Sequence, residues 1–333
     1  MNRSLQPRSI TSYIVVALAL AGLAVMIWRI GDVFVIGFGG IVLAVALRAM
    51  ASPLARATRL SPRWSLTLVV VGLVLVSVAI GWFFGSQGAA QVAQLQNQLP
   101  KAGTKFIDWL QQSEMGRILV NSGRRAVDDS KTLAGVGIAA GAAISGAADA
   151  LLVLFLAIYF AADPPLYREG ALRLLPPTRR AQVRRALDDA GEALRKWLLA
   201  QGIAMVTVGI LAGVSLALLG VPLAFSLGVL AGLFEFIPVV GPILSAVPGI
   251  LLAFANGPEL AIYTLITYTV VQQLESNVIV PLAQRWTMRL PPVVGLLAVL
   301  VCGFLFGMVG IVFATPMAVV VMAMVKHLYV EDT

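Results

Sequence analysis

Charged side chains are scarce in this sequence, since Asp, Glu, Lys and Arg together make up only 12% of its 333 residues. In a typical soluble domain about a quarter of the residues are charged, because the surface faces water. Hydrophobic residues here reach 59%, and the mean hydropathy is +0.91. The shortage of charge therefore excludes an ordinary soluble protein and predicts an all-α polytopic membrane protein.

Cysteine and histidine are also rare, with Cys302 and His327 as the single examples of each. One Cys cannot form an intrachain disulfide, and one Cys with one His disfavours a transition-metal site. The sequence has no GxxxxGK[ST] nucleotide-binding loop and no Ser/His/Asp set. We therefore expect no enzymatic activity, no cofactor and no ATP-driven pump within this chain.

Long apolar stretches dominate what is present. Six of them can cross a hydrocarbon core of about 30 Å as full transmembrane helices. They cover residues 12–28, 33–47, 64–84, 133–162, 202–219 and 260–282. Two more apolar regions, 223–255 and 291–325, are interrupted by Pro or Gly. The sequence thus predicts about six full spans plus two broken or re-entrant helical hairpins.

Basic residues set the expected orientation. The segment 48–63 carries four Arg and no acidic residue, and short loops rich in Lys and Arg stay in the cytoplasm. Counting spans from this loop places both termini in the cytoplasm and a tight turn at 29–32 outside. We expect a protein of the cytoplasmic (inner) cell membrane. The formal net charge of +8 is explained by the basic loops that set the orientation of the chain in the membrane, so no nucleic-acid partner is expected.

The chain divides into scaffold, peripheral and transport segments. The segment 85–132 is expected to be an extracytoplasmic amphipathic helical segment, bent at Pro100 and lying against an apolar surface. It could be a lid on the outer face, a subunit contact or a helix lying on lipid. The remaining divisions are N-terminal scaffold helices at 1–84, a long span at 133–162, a basic cytoplasmic helical hairpin at 163–201, a transport unit at 202–325, and a cytoplasmic tail at 326–333.

The first broken region has its break at Pro238, Gly241 and Pro242. A proline inside a helix removes one hydrogen bond and costs about 3 kcal/mol in water. The flanking pieces, 223–236 and 243–255, are each short for a full span, which favours a re-entrant hairpin whose tip is buried in protein. Two full spans also return the chain to the same side, so they stay an alternative.

The second broken region repeats this pattern, with Gly307 and Gly310 near its middle. One apolar helix precedes each hairpin, and the two helices run in opposite directions across the membrane. A helix followed by a hairpin thus occurs twice, and the two units run in opposite directions. This arrangement predicts an inverted-topology repeat, which in many secondary transporters surrounds a site near the bilayer midplane.

Carboxylates inside the apolar regions mark the candidate site, because each needs a partner or a function there. The three are Asp149, Glu235 and Glu275. Asp149 lies in a Gly/Ala-rich helix and is assigned to packing or gating. A substrate or coupling-ion site is predicted at Glu235, Pro238, Gly241, Gln272, Glu275 and Asn277. The alternative is that these groups have only a structural role and hold the hairpins together through hydrogen bonds.

The later motifs occur in a characteristic order. They are FEFIPVVGPILSAVPG (234–249), QQLESNVIVPLAQR (272–285), LPPVVGLLAVL (290–300), GFLFGMVGIVFATP (303–316) and a terminal KHLYVED. This order and spacing resembles the autoinducer-2 exporter family of bacterial and archaeal permeases. The likeness covers about residues 150–330, whereas residues 1–149 are similar only in hydropathy.

The resemblance implies a transporter of elevator type that forms a homo-oligomer, with a pentamer as the expected form. Its implied cargo is a small polar solute such as the autoinducer-2 furanone signal, moved by a proton or cation gradient. Sodium or lithium exchange against protons is the alternative implied by the same family. A channel or a membrane scaffold protein is a second alternative, since either also fits a bundle of apolar helices.

Overall fold

The computed structural model describes residues 8–112, 150–237, 240–284 and 291–330 of the chain. Within these ranges every regular element is helical. The helices are α1 (Arg8–Thr58), α2 (Pro62–Leu110), α3 (Ala150–Ala162), α4 (Pro164–Arg173), α5 (Pro177–Leu218), α6 (Ala224–Phe234), α7 (Val240–Ala255), α8 (Pro258–Leu274), α9 (Val280–Gln284) and α10 (Pro292–Val325). Short π-helical turns follow α8 and α10, at Glu275–Ile279 and Lys326–Val330.

Long apolar helices make this a multi-pass membrane protein. By length and composition alone, three helical segments in the described ranges could cross a membrane, at Val33–Thr58, Pro177–Leu218 and Val293–Leu328, the last of which is interrupted at Gly307. A fourth crossing results if α3 and α4, bent by 88° at their junction, count as one broken span. The all-helical class predicted from composition is confirmed, while the count of six full spans stays a prediction.

Helix α1 corrects one prediction. The tight turn expected at 29–32 is absent, because α1 is a single helix of 51 residues that runs through it. The drop in hydropathy there contains one glycine and no proline, and a lone glycine costs a helix only about 1 kcal/mol. A continuous helix does not return to its starting side, so the span count no longer fixes the side of the N-terminus.

Helix α2 is also longer than the apolar stretch within it. It runs for 49 residues and includes Pro100, so it continues from the apolar stretch at 64–84 into the amphipathic segment. Near its end, the rings of Phe106 and Trp109 lie edge-on to Phe254 of α7, with centroids 5.1 and 5.4 Å away. The amphipathic end of α2 therefore packs against an apolar surface of the chain itself.

Charged residues hold α4 against the first half of α5. Arg168 pairs with Asp188, and Arg184 pairs with Glu169 at 2.6 Å. The two helices are joined by a turn at 174–176, and Arg180 donates to the carbonyl oxygen of Leu175 at 2.9 Å. Helix α5 is 42 residues long in total, and it runs without a break from this charged region into the apolar stretch at 202–218.

Both predicted breaks are present. Helix α6 ends at Phe234 and α7 begins at Val240. In α10 the backbone leaves helical geometry at Gly307, with φ 63° and ψ −147°. The sulfur atoms of Cys302 and Met317 are 3.9 Å apart, although 15 residues of straight helix span about 22 Å. The chain therefore folds back at Gly307 as a hairpin.

Two packing contacts tie these parts together. Helices α1, α5 and the second arm of α10 share a buried cluster that includes Val42, Trp197 and Val319. Helices α5 and α6 meet through backbone, since a Cβ on Gly228 would lie 2.6 Å from the Cα of Gly213. Small residues at four-residue spacing allow such close approach inside membranes.

Candidate transport site

Glu235 lies where α6 ends. Its backbone still has helical φ and ψ, and its N–H donates to the carbonyl oxygen of Ala231 at 3.0 Å. The residue is 3% exposed, and its Oε2 atom has no hydrogen-bond partner among the described residues. A buried polar atom without a partner costs about 1–3 kcal/mol, so Oε2 is placed to receive a ligand, a water molecule or a proton.

Gln201 of α5 fixes the position of this break. Its side-chain Nε2 donates to the backbone carbonyl oxygen of Glu235 at 2.6 Å. The last carbonyls of a helix have no partner within that helix. The amide of Gln201 therefore satisfies one of them and holds the first hairpin to α5.

Glu275 approaches Glu235 from the other side. It is the first residue of the π-helical turn after α8, and its carboxyl group accepts a hydrogen bond from Gln272. The carboxyl group of Glu275 lies close to that of Glu235. π-Helical turns in helices occur frequently at functional sites.

The carboxyl pair has a defined chemistry. Two carboxyl groups can hydrogen-bond to one another only when one of them holds a proton, because both are acceptors when ionised. Loss of that proton leaves two negative charges side by side, which is unfavourable unless a cation enters. The pair can therefore hold a proton or a cation in turn.

Two further polar atoms lie along α8 without partners. Thr264 is fully buried, and neither its Oγ1 atom nor the hydroxyl of Tyr268 has a hydrogen-bond partner among the described residues. By contrast, Thr267 on the same helix donates to a carbonyl oxygen one turn back at 2.9 Å. With Gln272 and Glu275, these residues follow one face of the helix at spacings of four, four and three.

The hairpin tips are closely packed at glycine. A Cβ on Gly241 would lie 1.8 Å from the carbonyl oxygen of Phe234, and one on Gly310 would lie 2.0 Å from that of Cys302. Both positions therefore require glycine. Pro242 follows Gly241, and its carbonyl oxygen accepts a hydrogen bond from Ser245 at 3.0 Å. Pro238 lies outside the described residues.

The structure brings together only part of the predicted site. Glu235, Gln272 and Glu275 meet, whereas the Asn277 side chain is exposed and donates to Oε1 and to the backbone oxygen of Gln273. Among the described residues, no three His, Cys, Asp or Glu side chains are grouped as a metal site requires.

Sequence reasoning missed Gln201, Thr264 and Tyr268. Gln201 could have been noticed as a polar residue at the entry to an apolar stretch, beside the predicted hairpin. Thr264 and Tyr268 carry no such signal, because both residue types are common in membrane helices with their hydroxyl groups satisfied. Only the three-dimensional packing shows that these two hydroxyl groups lack partners.

The long apolar helices, the two hairpins and the buried polar groups between them define a multi-pass helical membrane protein. A family model for AI-2E family transporters matches residues 13–330. The chain belongs to this transporter family.

Several curated proteins are similar to the chain. YrrI of Bacillus subtilis is 30% identical over 178 residues, which are 54% of this chain and 50% of that protein. The AI-2 transport protein TqsA of Escherichia coli is 30% identical over 173 residues, covering 51% and 48%. MT0215 of Mycobacterium tuberculosis is 26% identical over 261 residues, covering 76% and 71%. In the first two, the matched part is about half of each relative.

Proposed function

We propose that the protein is a secondary transporter in which the Glu235–Glu275 pair couples a proton or cation gradient to movement of a small polar solute. The observation that carries this proposal is the meeting of two carboxyl groups between the first hairpin and α8, with Glu235 only 3% exposed. Paired carboxyl groups at such a depth in apolar helices are typical of proton and ion pathways.

The proposed cycle begins with one proton held between Glu235 and Glu275. A cation that enters from one side, alone or together with the solute, takes the place of the shared proton, which then leaves. The free Oε2 atom of Glu235 offers the first contact to the arriving group. Release on the opposite side restores the proton, so each cycle exchanges one for the other.

A polar solute with several hydroxyl groups fits the remaining partners. The hydroxyls of Thr264 and Tyr268 lack partners, and the amide of Gln272 lies beside Glu275. One relative is named an AI-2 transport protein, so the autoinducer-2 furanone is the first cargo to test. The exposed Asn277 lies two residues after the start of the π-helical segment and is proposed as a contact during entry.

Sodium or lithium exchange against protons is the second candidate. It is favoured by the same two carboxyl groups, since carboxylate oxygens are the ligands that hard cations prefer. A channel or a scaffold protein would instead conduct without coupling or not transport at all. The response to an imposed gradient separates these functions.

An elevator mechanism is proposed for the movement, with 202–325 as the moving unit and the first helices as the oligomeric scaffold, expected as a pentamer. The equivalent glycine contacts at Gly241 and Gly310 support treating the two hairpins as an inverted repeat. Inter-subunit crosslinks should then be found within 12–84, or at 86–131. Crosslinks concentrated on the hairpins would contradict this division.

The decisive experiment is reconstitution of the purified protein in liposomes with an imposed pH or sodium gradient. Internal pH is followed with a dye, and uptake of autoinducer-2 and other small polyols is followed by mass spectrometry. Gradient-dependent solute movement supports the first function, and sodium-dependent proton movement without solute supports the second. Solute or proton movement that responds to neither the pH gradient nor the sodium gradient would overturn the proposed coupling.

A further inference from the structure

A cavity lies away from the carboxyl pair, between α1, α4 and α5. Its volume is about 690 Å³, and its walls come from the last turns of the α1 apolar stretch, the α3–α4 junction and the charged half of α5. One wall is apolar, with Ile41, Val45 and Phe160 among its residues. The cavity is therefore amphipathic, which is unusual for a site that binds only small hydrophilic ions.

The opposite wall carries an excess of positive charge. Four arginine residues line the cavity against two acidic residues; they are Arg48, Arg56, Arg168 and Arg195, with Asp188 and Glu192. Two of these pairs are formed, Arg168 with Asp188 and Arg195 with Glu192. The pairs leave the wall with two more guanidinium groups than carboxylates.

The hydrogen-bonding capacity of the guanidinium groups is not used up. The Nε atoms of Arg168 and Arg195 are buried and have no hydrogen-bond partner among the described residues. Arg48 is half-buried and makes no ion pair with any described residue. Three guanidinium groups thus have free donors at one cavity, and a guanidinium fork matches phosphate oxygens closely.

We propose that this cavity binds the phosphate of an anionic phospholipid, with the headgroup at Arg48, Arg168 and Arg195 and an acyl chain along the wall of Ile41, Val45 and Phe160. The cavity lies where the apolar part of α1 gives way to its Arg-rich end, which is the level of lipid headgroups. Basic pockets between membrane helices bind anionic headgroups in this way. The apolar wall favours a lipid over free inorganic phosphate, which would leave that wall uncovered.

Glycine in the cavity wall provides a clean test. Gly191 of α5 lines the cavity, and a Cβ there meets no atom within 4 Å. Gly191→Leu should therefore fill the space without disturbing the helix. Gly202→Leu is the matched control, since Gly202 lies on the same helix, is equally open at its Cβ and does not line the cavity.

The experiment is native mass spectrometry of the delipidated full chain titrated with phosphatidylglycerol or phosphatidylcholine. We expect Arg48→Gln to weaken phosphatidylglycerol binding about fivefold, Gly191→Leu to weaken it as well, and neither to alter binding of phosphatidylcholine. Arg63→Gln is the charge control, because Arg63 is exposed and outside the cavity. Thermal unfolding of each variant verifies that it is folded.

A separate arm titrates inorganic phosphate in detergent without lipid. Stabilisation by phosphate equal to that by phosphatidylglycerol, and lost in Arg48→Gln, would overturn the assignment to a lipid and indicate a soluble anion. Equal binding of the two lipids would overturn the site altogether. So would equal losses in Arg48→Gln and Arg63→Gln, or unchanged binding in Gly191→Leu.

Discussion

The side-chain amide of Gln201 donates to the backbone carbonyl oxygen of Glu235 at 2.6 Å, across 34 residues of sequence. This bond joins the middle of α5 to the residue where α6 ends. It thereby connects the helix that carries the charged hairpin to the backbone of a residue of the candidate transport site.

Replacing Gln201 tests this connection. Gln201→Leu leaves a buried carbonyl oxygen without a partner, so we expect a loss of about 1–2 kcal/mol in the free energy of unfolding and weaker transport. Thr207→Val is the control on the same helix, because Thr207 bonds only to its own helix at Ile203. Thermal unfolding in detergent measures both. Equally small losses of stability in Gln201→Leu and Thr207→Val would show that the amide of Gln201 does not stabilise the fold.

The carboxyl pair gives the sharpest prediction. Glu275→Gln should abolish gradient-driven transport, and Glu235→Gln should reduce it about tenfold or more and shift its pH dependence, because each removes one of two groups that share a proton. Glu259→Gln, an exposed acid at the start of α8, is the control. Proteoliposome flux across a pH series measures all three.

A purely structural role for the pair makes a different prediction. In that case transport falls only as far as the amount and thermal stability of the assembled protein fall. Wild-type flux and pH profiles in correctly assembled Glu235→Gln and Glu275→Gln would remove the coupling role and leave the two acids as packing elements.

Tyr268 separates stability from transport. Its buried hydroxyl has no partner among the described residues, so Tyr268→Phe should raise the free energy of unfolding by about 1 kcal/mol while solute flux falls. Tyr263→Phe is the matched control, since Tyr263 lies on the same helix and is 53% exposed. An unchanged solute KM in Tyr268→Phe would exclude contact between this hydroxyl and the cargo.

The second hairpin depends on close backbone contact at Gly310. A Cβ there would lie 2.0 Å from the carbonyl oxygen of Cys302, so Gly310→Ala should cost about 2 kcal/mol by forcing the two arms apart. Gly295→Ala, in the first arm with an open Cβ position, should instead gain about 1 kcal/mol. The midpoint of thermal unfolding distinguishes them, and equal midpoints would contradict the packed hairpin.

The depth of the second tip can be measured by labelling. We expect Met308→Cys in a Cys302→Ala background to react poorly with membrane-impermeant maleimide from at least one side, because a re-entrant tip lies at membrane depth, where the reagent does not reach. Arg63→Cys, in an exposed region, is the positive control. Rapid labelling of Met308→Cys, as at an ordinary loop, would indicate two full spans.

Local chemistry explains which features the sequence could predict. The Pro/Gly segment around Gly241 and the cluster of Gly303, Gly307 and Gly310 each gather several helix-weakening residues within a few positions, so both breaks were predictable. The cost of placing acids in lipid marked Glu235 and Glu275 as candidate site residues. In each case one residue type imposes the outcome within a few residues.

Helix lengths and long-range bonds required the structure. The change from charged to apolar residues near 201 does not end α5, because Arg, Glu, Ala and Leu all favour helix. The same reason lets α1 continue through 29–32. The bond from Gln201 to Glu235 joins residues 34 apart, and no local pattern specifies such a partner.

The length of α5 has a practical consequence for imaging the molecule. Its 42 residues make a rod of about 63 Å, roughly twice the thickness of a hydrocarbon core. The charged half of this helix is braced by α4 through Arg168–Asp188 and Arg184–Glu169. This braced rod should project as rigid density outside a detergent micelle, giving electron cryomicroscopy a built-in feature for aligning particles of a 35.2 kDa chain.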